Sequence, residues 1–323
     1  MKMTTSTKNN KIYLQLLEEA RKEKLKINKD TLLKTKKLYK EVIKDLQKRI
    51  KSTNNYNNKF VKAQIRILEQ ELREMDIILE REVTMAITDT SLLMSSVNAD
   101  FYSMLDKEYN LHLSTDMLSS MYSTNNRVIQ KIVGGGLYKD KRSLSERVWK
   151  YSEKNISDIQ DILVKGIIER KSLEQLCREL SVYCGGGNTK IPAITRSYGR
   201  MNSNALRLVR TSLNHVFIET MKDECEYNPF VEGYKWELSP EHDARMGGRK
   251  DECDDYANHN EGMGVGVFRK DTLPGTPHPN CLCLILPHIV EDFESIGARL
   301  KKWVDGGKDI EIDRWVEKTY KNR

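Results

Sequence analysis

Apolar residues recur at intervals of three, four or seven positions through two stretches of the first 133 residues. The members of the two series are Leu32, Tyr39, Val42, Leu46 and Ile50, and then Val61, Ile65, Leu68, Leu72, Met75 and Leu79. This spacing is typical of amphipathic helices. Glycine first occurs at Gly134 and proline at Pro192, so no strong helix breaker precedes residue 134. The Asn-rich stretch 52–58 between the series predicts the turn of a helical hairpin.

The apolar stripes of this hairpin have two possible partners. They can pack against each other and the rest of their own module, or they can dock into a groove of a larger assembly. The spacing alone favours neither alternative.

The pattern of elements changes along the second half of the chain. Ser143 with Glu146, and Ser172 with Gln175, have the spacing of capping boxes that begin helices. A further helix is predicted over residues 198–226, and alternating polar and apolar residues predict a strand over 231–238. Two short helices are expected after Val290. The fold class is therefore α+β and predominantly α-helical, with an elongated N-terminal helical module before a mixed domain that holds a small β/loop segment.

Charge is distributed unevenly along the 323 residues. Residues 1–66 contain 19 Lys/Arg and 6 Asp/Glu, whereas the whole chain carries a net charge of only +7. No stretch approaches the 18 apolar residues of a membrane span. Such a basic arm suits nucleic acid, bound without sequence specificity, or an acidic protein surface. The candidate DNA- or partner-binding residues are Lys34, Lys36, Lys37, Lys40, Lys44, Lys48 and Arg49.

Segment 239–287 is the part of the sequence that carries candidate chemistry. It is dense in Gly, Pro, His and Cys, so it can bury little apolar surface by itself. Thiolate sulfur and imidazole nitrogen are the ligands that zinc prefers, usually four in a tetrahedron. Prolines flank one group of closely spaced candidates and reduce the entropy lost on ordering it. The predicted zinc ligands are His242, Cys253, His278, Cys281 and Cys283.

The role of this metal is predicted to be structural. A catalytic zinc keeps an open coordination position and needs a nearby base. Two other interpretations remain open for the thiols. Cys281 or Cys283 can be a buried apolar position of a strand that follows Pro279, or two cysteines can form a disulfide, which a reducing cytoplasm disfavours.

The segment resembles the signature of phage head morphogenesis proteins, the minor capsid proteins similar to the F protein of phage Mu. The resemblance is carried by Trp236, His242, residues 251–257, the glycines of 262–268 and, most specifically, residues 277–283, which read Pro-His-Pro-Asn-Cys-Leu-Cys. Upstream, residues 210–214 resemble the Arg-Thr helix of the family, with Ser212 where an acidic residue commonly stands. Many members have two cysteines in the first arm, where this chain has Cys253 alone.

The resemblance implies a structural component of the virion, located in the capsid interior or at the portal vertex and assembled in the host cytoplasm. Its implied partners are the portal protein, the major capsid or scaffolding protein and packaged DNA, and it implies no enzyme activity. The corresponding division of the chain is a basic helical arm over 1–133, a head morphogenesis domain over 134–290 and a short helical tail over 291–323. The alternative is a metal-dependent nuclease with a zinc-stapled fold, for which His259 and His288 are the nearby candidate bases.

Overall fold

Helices dominate the fold. The computed structural model describes residues 5–185, 201–275 and 277–321. The long helices are α1 (Thr5–Lys51), α2 (Asn58–Tyr109), α5 (Leu144–Ile168) and α7 (Ser203–Cys225). The shorter helices are α3 (Thr115–Met121), α4 (Asn126–Val133), α6 (Leu173–Tyr183), α8 (His242–Met246), α9 (Glu252–Asn258), α10 (Phe293–Val304) and α11 (Ile310–Thr319).

A small antiparallel sheet completes the fold, so the predicted α+β, mainly helical class is confirmed. Its strands are β1 (Gly233–Glu237), β2 (Val267–Arg269) and β3 (Leu284–His288), in the spatial order β2-β1-β3. The predicted strand over 231–238 corresponds to β1. Tyr234 and Trp236 of β1 are buried while Lys235 and Glu237 are exposed, which is the alternation of a strand with one covered face.

The chain forms two compact units that interleave along the sequence. Unit 1 comprises residues 1–27, 87–130 and 211–323, and unit 2 comprises residues 28–86 and 131–210. These limits do not coincide with the sequence-based limits at residues 133 and 290. The reason is that the long helices α1, α2 and α7 each contribute residues to both units.

Unit 2 contains the predicted helical hairpin, with its turn between the end of α1 at Lys51 and the start of α2 at Asn58. Arg49 forms a two-pronged ion pair with Glu71, at 2.6 and 2.9 Å, which ties the two arms of the hairpin together. Leu46 and Leu72, one from each stripe, have no exposed surface. The other stripe residues are buried as well, except Leu32 and Val42, which are half-buried. This burial favours packing inside the protein over docking into a partner.

The local signals of the second half of the sequence are confirmed. Ser143 and Glu146 form a full capping box at the start of α5, as do Ser172 and Gln175 at the start of α6. The helix predicted over 198–226 is α7, with residues 198–200 outside the described part of the chain. The two expected C-terminal helices are α10 and α11.

The core of unit 1 is rich in aromatic residues. Trp315 of α11 is fully buried, and its ring centroid lies 4.9 Å from that of Tyr102 and 6.2 Å from that of Phe230. The sheet packs into the same core through Tyr234 and Trp236. The sheet edge that carries the Cys/His segment is thus fixed to a helical scaffold.

None of the helices in the described residues has an apolar stretch of the length that crossing a bilayer requires.

Candidate metal centre

Strand pairing brings two parts of the Cys/His segment to one edge of the sheet in unit 1. Glu237, the last residue of β1, pairs with Leu284, the first residue of β3. Because the strands are antiparallel, the chain that leaves β1 and the chain that enters β3 meet at this edge. The first leads to His242 and the second passes through Cys281 and Cys283.

Helix α9 delivers the third part. Asp251 caps the helix, because its carboxylate accepts the N–H of Cys253 at 2.8 Å while the carboxylate of Asp254 accepts the N–H of Asp251. Tyr256, one turn later, packs its ring 4.7 Å from that of Trp236 in β1. Cys253, in the first turn of α9, is held against the sheet edge and is fully buried.

The thiols lie at the separation of metal ligands. The Sγ atoms of Cys253 and Cys281 are 3.6 Å apart, far beyond the length of a disulfide bond at about 2.05 Å. Two thiolates bound to one tetrahedral zinc, each at about 2.3 Å, are separated by roughly 3.8 Å. Ligand atoms of Cys253, Cys281 and His278 all lie within 4.8 Å of one another, so these three residues could hold a metal ion.

The remaining two predicted ligands border this group. The Sγ atom of Cys283 lies 3.8 Å from Nδ1 of His242, and both residues are at least nine-tenths buried. The backbone N–H of Cys283 donates to the sulfur of Cys281 at 3.3 Å, a contact that stabilises negative charge on that sulfur. The structure therefore brings all five sequence-predicted ligands to one place.

His242 also belongs to a second group, with Asp251 and Asp254, whose ligand atoms lie within 4.8 Å of one another. Nε2 of His242 lies 3.1 Å from Oδ2 of Asp254 and 3.7 Å from Oδ1 of Asp251. A carboxylate at one ring nitrogen leaves the other free for a metal, and it fixes the orientation of the ring. Asp254 thus directs Nδ1 of His242 towards Cys283.

Both ring nitrogens of His278 lie close to an oxygen. Nδ1 lies 2.9 Å from the carbonyl oxygen of Pro279. Nε2 lies 3.0 Å from Oδ2 of Asp251. A metal bound at Nε2 would therefore replace the contact with Asp251, whereas the carbonyl of Pro279 would keep the ring oriented.

The loop of the His-Pro-Asn-Cys motif is held by α7. Asn280 adopts a left-handed backbone conformation with a φ of 66°, which asparagine tolerates better than most residues. Its N–H donates to Oγ1 of Thr211 at 3.1 Å, and Nε2 of His215 lies 3.0 Å from the carbonyl oxygen of Pro277. Thr211 and His215 of α7 therefore hold this loop in place.

The electrostatics of the cluster favour a single thiolate. Contact with the thiols of Cys281 and Cys283, and then burial, raise the pKa of Cys253. Hydrogen bonds from Cys253 and Cys281 lower the pKa of Cys283. Burial lowers the pKa of His242, but the hydrogen bond with Asp254 and the charges of Cys283, Asp251 and Asp254 together outweigh it, so the net shift is upward. A bound metal would have to displace the remaining thiol protons, which makes its affinity dependent on pH.

Lys24 of α1 was missed by sequence reasoning. It is only 3% exposed, its ammonium donates to Asn214 Oδ1 at 2.8 Å and it lies 4.4 Å from the ring centroid of Phe217. Burial lowers the pKa of Lys24 to about 7, whereas the charges of Cys281 and Cys283 act to raise it. The sequence signal for its burial is that Lys24 lies on the buried face of α1. The buried residues of that face follow each other at intervals of three or four: Tyr13, Leu17, Ala20, Lys24, Asn28, Thr31, Thr35 and Tyr39.

The predicted DNA- or partner-binding residues divide into two groups. Arg49 is committed to Glu71, while Lys34 pairs with Glu82, Lys37 with Glu41 and Lys48 with Asp45. The three that remain, all in unit 2, are exposed and stand four residues apart, which places them on one face of α1. This basic face consists of Lys36, Lys40 and Lys44.

The two candidate bases of the nuclease alternative, His259 and His288, each stand several residues beyond the nearest cysteine in the chain. His288 ends β3, five residues beyond Cys283, which corresponds to about 16 Å of strand. His259 stacks on Phe268, with the ring centroids 4.2 Å apart. Neither histidine belongs to the groups of potential metal ligands found among the described residues.

No protein-family model matches the chain, and neither a curated protein nor a solved structure matches it. The resemblance to phage head morphogenesis proteins therefore rests on the motif residues alone.

Proposed function

We propose that the Cys/His cluster binds one structural zinc ion that staples segment 239–287 to its sheet. Sulfur and imidazole donors favour zinc over magnesium or calcium, which take oxygen ligands. The observation that carries this proposal is the meeting of Cys253, Cys281 and Cys283, each at most 2% exposed, in a segment with few apolar residues. Such burial suits a closed structural site rather than an open catalytic one.

The proposed ligands are Cys253, Cys281 and His278, with the fourth position filled by Cys283 or His242. When bound, zinc supplies bonds that link α9, the 277–283 loop and the chain after β1. Asp254 orients His242, Thr211 holds the loop, and the N–H of Cys283 stabilises the sulfur of Cys281.

The ligand set is testable with cobalt(II), which replaces zinc and reports thiolate ligands by its charge-transfer absorption. Cys253→Ser and Cys281→Ser should each reduce that absorption, and His278→Ala should change the tetrahedral ligand-field bands. If Cys283→Ser reduces it too and His242→Ala leaves the spectrum unchanged, Cys283 is the fourth ligand. If instead His242→Ala changes the spectrum and Cys283→Ser leaves it unchanged, His242 is the fourth ligand. Spectra unchanged in all five variants would overturn the site.

At the level of the whole protein, we propose a non-enzymatic phage minor head protein that acts in head assembly, portal association and DNA packaging or delivery. Its support is the motif resemblance over residues 277–283 and 251–257, together with the exposed basic face Lys36, Lys40 and Lys44. That face suits phosphate contacts independent of sequence. Portal protein, major capsid or scaffolding protein and packaged DNA are the proposed partners.

Co-expression with the cognate portal and capsid proteins tests this assignment. The chain is expected in purified heads and in a complex with the portal. A folded chain that stays out of heads and cleaves duplex DNA in a metal-dependent manner would instead establish the nuclease alternative.

A further inference from the structure

A groove between α2 and α5 in unit 2 lies outside the metal centre and its partners. It encloses about 340 Å³. That volume lies at the lower end of the range for small-ligand pockets. Leu72 and Ile156 supply apolar lining, and Glu69, Glu153 and Asp76 supply three carboxylates, against a single guanidinium from Arg73.

Asp76 is the unusual feature of this groove. It is only 6% exposed. Its Oδ1 accepts a hydrogen bond from Oγ of Ser152 at 2.6 Å, while Oδ2 has no hydrogen-bond partner among the described residues. A buried carboxylate oxygen without a donor is energetically unfavourable, so the site gains free energy from any ligand that supplies one.

Trp149 provides an aromatic wall whose orientation is fixed. Its Nε1 donates to Oε1 of Glu153 at 3.0 Å, and the side chain is 42% exposed. The guanidinium of Arg73 already lies 5.3 Å from its ring centroid. The indole is thus an exposed surface that accepts cations, next to carboxylates.

An inorganic divalent cation does not fit this arrangement. Such an ion requires several oxygen ligands in close array. The three carboxylates are not among the metal-competent groups that the described residues form. Apolar and aromatic lining beside a single buried carboxylate instead matches a cation with an alkyl stem.

We propose that this groove binds an organic cation, an alkylammonium or a guanidinium, whose charge meets Oδ2 of Asp76 and whose stem packs on Trp149 and Ile156. Burial, opposed by the Ser152 hydrogen bond, raises the pKa of Asp76 to about 7, and an approaching cation would favour its ionised form. The cation can come from a free amine or from a lysine or arginine side chain of a protein partner. The two sources share the same chemistry.

The test uses the full chain at pH 8 with butylammonium, butylguanidinium and the neutral analogue n-butanol as probes. Binding is followed through the indole N–H resonance of Trp149, assigned with Trp149→Phe. Both cations should shift this resonance saturably, at least tenfold more tightly than n-butanol. No saturable shift, or equal affinity for the alcohol, would overturn the proposal.

Asp76→Asn keeps an oxygen for Ser152 and removes the charge, so it should weaken cation binding at least tenfold without changing n-butanol binding. Asp45→Asn, the same change outside the groove, should have no effect. Trp149→Ala alters a partly exposed side chain and should also weaken the cation at least fivefold in a folded protein. Unchanged cation affinity in either groove variant would contradict the proposal. A peptide-bound lysine that binds tenfold tighter than butylammonium identifies a protein partner, and equal affinities identify a free amine.

Discussion

The helical hairpin of unit 2 and the Cys/His segment of unit 1 achieve burial by different means. In the hairpin, apolar side chains at helical spacing, such as Leu46 and Leu72, lose all exposure by packing on their own unit. In the Cys/His segment, the side chains buried at the equivalent depth are those of Cys253, Cys281 and Cys283. Burial of a methylene-rich side chain is favourable by itself, whereas a cluster of thiols and imidazoles gains its stability from a ligand. We therefore expect the first region to be indifferent to metal and the second to depend on it.

The largest expected effect is the loss of unit 1 stability on removing the metal. Structural zinc contributes apparent binding free energies on the order of 10 kcal/mol. Cys281→Ser, or chelation of the wild-type chain, should therefore lower the midpoint of thermal unfolding. The unfolding is followed by near-ultraviolet circular dichroism, to which the buried Trp236 and Trp315 of unit 1 contribute. Cys177→Ser is the matched control, since Cys177 is a buried cysteine of unit 2 and is outside the cluster. Equal behaviour of the two variants would refute the distinction between the regions.

The converse perturbation belongs to the hairpin. Leu46→Ala removes a fully buried side chain and should lower the free energy of unfolding by about 2–5 kcal/mol. Leu33→Ala, at a half-exposed position of the same helix, should have little effect. Hydrogen exchange should localise the loss to unit 2 while the metal content stays unchanged. Loss of metal in the folded Leu46 variant would show that the two regions are not independent.

Asp76 gives the hairpin region a pH dependence. Its pKa of about 7 exceeds the ordinary value of 3.8 because of burial, with Glu80 adding repulsion and Ser152 opposing it. Glu69 and Arg73 also face the groove. Between pH 3.8 and pH 7 the folded state therefore binds more protons at Asp76 than the unfolded state does. The free energy of unfolding accordingly falls as the pH rises through 7.

Asp76→Asn should accordingly raise the free energy of unfolding at pH 8 by roughly 1–3 kcal/mol and leave it nearly unchanged at pH 4. Urea denaturation at the two pH values measures the difference. Asp45→Asn should show a small effect of the opposite sign, because Lys48 lowers the pKa of Asp45. A gain of equal size at both pH values would exclude ionisation of Asp76 as its cause.

A smaller effect is expected at Lys24, which links α1 to the thiol cluster by charge. Without metal, its buried ammonium is unfavourable; beside thiolates bound to zinc, it offsets negative charge. Lys24→Met should thus maintain or raise the stability of the metal-free protein and yet weaken zinc affinity by about three- to tenfold, since a screened charge interaction amounts to roughly 1 kcal/mol. Exposed Lys26→Met should change neither quantity. Unaltered zinc affinity in Lys24→Met would dismiss the electrostatic link.

The sequence predicted the elements well because their signals are local. Capping residues such as Ser143 and the turn at 52–58 act within a few positions of themselves. The five metal-ligand candidates could also be named, since their residue types are unusual together. Lys24, by contrast, looked like one more lysine of a basic helix, and its burial depends on α7, nearly 200 residues away in the chain. The alternation of the two units along the chain is likewise a matter of long-range packing that spacing does not encode.

The proposed zinc site is best tested by elemental analysis of the wild-type, Cys281→Ser and Cys177→Ser chains, all purified without chelator. We expect about one zinc per wild-type chain and per Cys177→Ser chain, and a clear loss in Cys281→Ser. Folded wild-type protein without bound metal, or zinc that Cys281→Ser retains in full, would contradict the proposed site.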